Sequence, residues 1–187
     1  MAAILSTIAS ILLLLTGSIA FADTSSDGVW RDSSEPRSRS AVRPVIRPLR
    51  YRMLSLDWNV LEPLLAQTPA RRIAGGGDHQ RRVHLDLPIP DGGFAGFLVE
   101  EDPIIAPGLA VKFPQLRTYR GVSVDDPHTT VRFDHTPHGF HAMILSPGES
   151  TFIDPYARGD TVHHISYYKH EYPSPTAQDF VCHVDGS

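Results

Sequence analysis

From residue 83 to 169, apolar and polar residues alternate in short runs, VHLDLPIP, FAGFLVEE, LRTYRGVSV, TTVRFDHT, GFHAMILSP, STFIDPYA and TVHHISYYK, each bounded by Pro, Gly or Asp. Alternation sends successive side chains to opposite faces of an extended strand, and turn residues at the boundaries bring each strand back beside its predecessor. This spacing predicts an antiparallel meander. The clearest hairpin joins VHLDLPIP to FAGFLVEE around Pro90-Asp91-Gly92-Gly93. Helix is the minor component. Trp58, Leu61, Leu64 and Leu65 mark one helical face, with Asp57 as N-cap and Pro69 as stop, and APGLAVKFP allows a short second helix at best. Upstream, Leu49, Tyr51, Met53 and Ser55 read as a strand. The expected fold class is α+β: an antiparallel β-dominated single domain, meander- or sandwich-like, with one or two short helices.

The flanks read differently. Residues 1–22 carry an apolar run from Ile8 to Leu15 and end in Ala20-Phe21-Ala22, the form of a secretory signal peptide cleaved after Ala22. Its n-region lacks Lys and Arg, which leaves an uncleaved anchor as the other reading. Residues 23–47 are rich in Ser, Asp, Arg and Pro and read as a flexible leader, with Trp30 as the one residue suited to dock on the domain. Residues 48–172 form the β-rich domain and 173–187 a C-terminal junction or tail. Within the domain, ARRIAGGGDHQRR sets three glycines between two Arg-Arg pairs and reads as a mobile surface loop. The predicted location is secreted, extracellular or periplasmic.

A formal net charge of −4 gives no electrostatic reason to expect nucleic acid or an acidic membrane as partner. Histidine is the unusual component: ten of them should move the protein's charge strongly between neutral and mildly acidic pH. Rings packed in their neutral form would lose stability on acidification, because the unfolded chain takes up the proton first. The single Cys182 has no intramolecular disulfide partner.

Motif by motif, catalytic chemistry is not evident. His170-Glu171 opens like H-E-x-x-H, but Ser174 stands where the second histidine belongs, and Pro173 and Pro175 forbid the helix. His135, His138 and His141 have metal-like spacing, yet Pro137 and Gly139 make the segment a turn, which favours packed or hydrogen-bonded rings. On a strand, His163 and His164 point to opposite faces. Asp154, Arg158 and Asp160 in IDPYARGD suit a turn in which both carboxylates accept backbone N–H groups and Arg158 pairs with one of them, in preference to an adhesive R-G-D. AGGGDH lacks the phosphate-loop order, and neither Ser146 nor Ser166 sits in a nucleophile elbow.

One resemblance covers nearly all of the chain beyond residue 22. Leu87-Pro88-x-Pro90-Asp91-Gly92, Pro114-x-x-Arg117-Thr118-Tyr119-Arg120-Gly121, Asp125-Asp126-Pro127, Gly139-Phe140-His141-Ala142 and Asp154-Pro155-Tyr156-Ala157-Arg158-Gly159-Asp160 occur as ordered strings. Together with VWRD and YRMLSLDWNVLEPLLA they resemble the N-terminal propeptide region of bacterial secreted reprolysin (adamalysin)-like zinc metalloproteases. The resemblance implies a non-enzymatic role as propeptide module, both folding assistant and inhibitor, with the metalloprotease catalytic domain as partner. It also implies a fragment of a longer precursor. No cofactor is expected in this chain; zinc belongs to the cognate catalytic domain. Cys182, in FVCHVDG, partly resembles a cysteine-switch segment, a thiolate that could ligate that zinc, although His183 follows it where Gly is expected. A fortuitous free thiol accounts for the same residue. The alternative function is a stand-alone secreted binding module for an extracellular or envelope ligand.

Overall fold

The computed structural model describes residues 23–36, 46–69, 82–104, 107–113 and 116–173. Residues 1–22, read as a signal peptide, the triple-glycine segment and Cys182 with its tail lie outside the described residues.

Among the described residues, nine strands form one antiparallel sheet. They are β1 (Trp30–Asp32), β2 (Arg52–Leu56), β3 (Val83–Pro88), β4 (Phe94–Glu101), β5 (Arg117–Ser123), β6 (Thr130–Thr136), β7 (Gly139–Ser146), β8 (Glu149–Pro155) and β9 (His163–Tyr168). The order β1-β2-β9-β8-β7-β6-β5-β4-β3 makes β3 to β9 a continuous meander. The turns follow the sequence. Between β3 and β4, Gly92 and Gly93 take φ of 116° and 69°, and the Gly92 N–H donates to the Ile89 carbonyl at 3.1 Å. A side chain at those angles would be strained, so glycine sets the hairpin.

The expected antiparallel β-dominated single domain with short helices is what the chain forms. The sheet is single and curls into a nearly closed barrel, in place of two stacked layers. At its ends, the turn that leads into β1 bonds to β3. Asp86 Oδ2 accepts from the Ser26 N–H at 2.8 Å and the Ser26 hydroxyl at 2.6 Å, and the Asp86 N–H donates to Asp27 Oδ2 at 2.8 Å. Inward positions of the alternation, including Leu54, Leu85, Phe97, Tyr119, Phe133, Phe140 and Ile153, form one core. Helix α1 (Trp58–Ala66) adds Leu61 and Leu65 to it; the Asp57 carboxylate caps it by accepting from the Asn59 N–H at 3.0 Å. Helix α2 (Pro107–Lys112) is a short excursion between β4 and β5, with Leu109 and Val111 exposed.

Two sequence expectations need correction. The stretch read as a flexible leader supplies β1; Trp30 docks in the core as expected, and Val29 is buried beside it. Its polar residues order by bonding locally: the Trp30 N–H donates to Ser25 Oγ at 2.8 Å, and the Asp32 N–H to the Asp23 carbonyl at 2.8 Å. Mean composition misses such bonds because it counts side chains without their partners. Leu49 and Tyr51 precede β2 and are exposed, whereas Leu54 and Leu56 face the core and Met53 faces outward. Both faces of β2 and β9 are buried, because Met53, Tyr156, Ala157, Ile165 and Tyr167 build a second cluster outside the barrel, while β9 turns His164 and Ser166 inward. A strand buried on both faces loses its period-two signature.

Candidate functional site

On the outer face, the β6–β7 hairpin places Asp134 directly opposite His141, and His141 Nδ1 lies 3.3 Å from Asp134 Oδ1. One strand further, Asp154 on β8 follows the Ala142–Ile153 register pair and so neighbours His141 on the same face. The Tyr167 hydroxyl, diagonal to it on β9, donates to Asp154 Oδ2 at 2.8 Å. Asp134, His141 and Asp154 form the shared floor of two depressions. The larger, about 730 Å³, is walled by Thr136 and His138 of the β6–β7 turn, by Ile46, and by Ala157, Arg158 and Gly159. The smaller, about 270 Å³, extends over Tyr119, Phe133 and Phe152 toward Ile104.

The hydrogen bond to Asp134 holds the His141 ring above the ordinary histidine value, against the effect of its partial burial. Burial raises the Asp154 carboxyl, opposed by the Tyr167 hydroxyl and by His141. The Tyr167 phenol is pushed far up by burial and by the Asp154 charge beside it. Arg158 is exposed and makes no ion pair among the described residues. The cleft thus presents a carboxylate–imidazole–carboxylate row as its floor, with the exposed Arg158 at its wall. Such a surface suits recognition of a polar segment from another molecule.

The turn behind the cleft is only partly the predicted one. Asp160 Oδ1 accepts from the N–H groups of Val162 and His163 at 3.0 and 2.9 Å, as a turn carboxylate should. Asp154 instead accepts from Tyr167, and Arg158 pairs with neither. Of the three spaced histidines, His138 and His141 line the cleft; His135 stacks on Trp58 at 4.3 Å between centroids. His163 faces outward to Asp160 at 3.0 Å, while His164 is fully buried, so the pair divides between the two faces. His170 and Glu171 form a 3-10 turn (Lys169–Glu171), with His170 Nδ1 3.0 Å from Glu149 Oε2. Among the described residues, no group of three His, Cys, Asp or Glu is disposed to hold a metal ion. Asp134 and Tyr167 escaped the sequence reading. Asp134 was accessible in principle, since a hairpin centred on Pro137-His138 pairs positions 134 and 141.

Gly139 sets the cleft's edge. Its φ is 127°, and a Cβ there would lie 2.5 Å from Pro155 Cγ. Gly139→Ala should therefore destabilise the protein by about 2 kcal/mol, from backbone strain and overpacking together. Urea midpoints check this, with Gly148→Ala as comparison, since its positive φ meets open space.

No family model matches the chain, and neither a curated protein nor a solved structure does.

Proposed function

We propose that the chain is the propeptide module of a secreted reprolysin-like zinc metalloprotease, assisting its folding and inhibiting it while having no peptidase chemistry of its own. The observation that supports this reading is a convergence. The strings at 139–142 and 154–160 that carry the resemblance are separate in sequence, yet His141, Asp154, Pro155, Ala157, Arg158 and Gly159 all line the large outer cleft. Strings needed only for the barrel would be expected in the core; these supply the surface that a partner domain would meet. Cys182 is the natural candidate for the ligand to the partner's zinc, since catalytic zinc keeps an open position that a thiolate can occupy.

The test is inhibition in trans by the purified chain added to the matching catalytic domain. Arg158→Glu should weaken inhibition about tenfold, by placing a third negative group against the partner, and leave the urea midpoint unchanged because Arg158 supports nothing in the fold. Cys182→Ser separates the thiolate from the surface: serine keeps the size and removes the soft ligand. Equal inhibition by Cys182→Ser and parent would remove the thiolate from the mechanism. Failure of the parent to inhibit would overturn the propeptide reading and leave the stand-alone binding module.

A further inference from the structure

The β7–β8 register pairs run from Ser146–Glu149 to Ala142–Ile153 and stop short of Phe140. The Phe140 N–H at that corner donates instead to a side chain, Nε2 of His164, at 3.3 Å. On the other side of the ring, Nδ1 lies 3.2 Å from the Val162 carbonyl. A neutral imidazole satisfies both contacts in one tautomer, with its proton on Nδ1. The ring is fully buried, edge-on to Trp30 at 5.4 Å and to Phe140 at 6.3 Å. A second proton would turn Nε2 into a donor facing another donor, inside buried aromatic surroundings.

We propose that His164 is an acid-released latch: proton uptake by its ring parts Phe140 from Val162 and opens the β7–β8–β9 corner, including the 156–160 wall of the cleft, while the rest of the sheet stays folded. This goes beyond the propeptide reading and does not depend on it.

Burial lowers the ring to about 4, opposed by the Val162 carbonyl and by Asp160, and assisted by His141 and His163. Trp30 from β1 and Phe140 from β7 present only aromatic faces to it. The folded value lies below the ordinary 6.5, so the opened corner binds the proton more readily. The latch is fully closed above pH 6.5, weakens as pH falls, and contributes nothing below about 4. His135, lowered by its own burial, acts in the same direction from its place on Trp58; His141 and Asp154, both raised, act in the opposite one.

Amide hydrogen exchange of the full chain, corrected for the intrinsic pH dependence of exchange, tests this. Opening at Phe140 and at residues 162–164 should rise about 20-fold from pH 7 to pH 5. The rise should persist in His135→Gln and His141→Gln, and be lost in His164→Gln. An equal rise in His164→Gln, or a rise spread evenly over all strands, overturns the proposal. Imidazole titration of the parent by NMR decides independently if His164→Gln does not fold: a His164 ring titrating well below the other histidines supports the latch, and one titrating near 6.5 overturns it.

Discussion

Trp30→Ala should cost the fold about 3–5 kcal/mol, the range for removing a large aromatic from a core. The whole stability of a domain this size is typically about 5–15 kcal/mol, so the variant should be close to unfolded at physiological temperature. The side chain has no exposed surface, packs edge-on against Phe140 at 5.3 Å and against the His164 ring, and anchors a strand of only three residues. β1 is otherwise held by its pairing with β2, by the Arg52–Asp32 bond and by the Ser26–Asp86 bonds at the seam. Trp30→Phe separates packing from polarity. Trp30 Nε1 is buried with no hydrogen-bond partner among the described residues, so phenylalanine removes an unsatisfied donor as well as some volume. Its net cost should be about 1–2 kcal/mol. Urea denaturation followed by circular dichroism measures both. A midpoint unchanged in Trp30→Ala would mean that the N-terminal strand is not part of the core.

Arg52→Ala should cost about 3 kcal/mol, because the guanidinium is a partly desolvated bridge whose partners would stay behind unpaired. Its Nε donates to Asp32 Oδ1 at 2.7 Å, while Nη1 reaches the carbonyls of Ile89, at 3.1 Å, and Gly93. Its carbon centre stands 4.7 Å over the Phe94 ring. One side chain from β2 thereby ties β1 to the β3–β4 hairpin across the barrel's unzipped seam. A lysine cannot reproduce the planar fork, so Arg52→Lys should recover less than half of the loss. Full rescue by lysine would show that charge alone matters at this position. High salt should narrow the gap between Arg52→Ala and the parent only slightly, since the guanidinium is largely shielded from solvent.

Which histidines matter depends on the face each one occupies. His163 and His164 are adjacent in sequence, and alternation alone predicts that they part. It does not say which enters the core. Inside the core, the His164 ring becomes the acceptor of the Phe140 N–H, a contact between residues 24 positions apart. Asp160 was legible as a turn residue because its bonds run only to positions 162 and 163. Asp154 lies six residues before it and looked equivalent, but its partner Tyr167 belongs to the neighbouring strand.

The sequence alone determined the antiparallel meander, the β3–β4 hairpin, the capped helix α1 and the scarcity of recognisable catalytic motifs. All of these rest on local geometry: turn glycines that take positive φ, prolines that lack a donor, and side chains that alternate along an extended backbone. Tertiary structure alone decided that the sheet curls into one nearly closed barrel, that the polar N-terminal stretch becomes its first strand, and that Asp134, His141, Asp154 and Arg158 share one cleft. The closing bonds of Ser26 and Asp27 to Asp86, and of Arg52 to Ile89 and Gly93, join residues far apart in the chain. Their pairing is fixed by how the completed sheet twists and closes, a property of all its strands together that no short window of sequence contains.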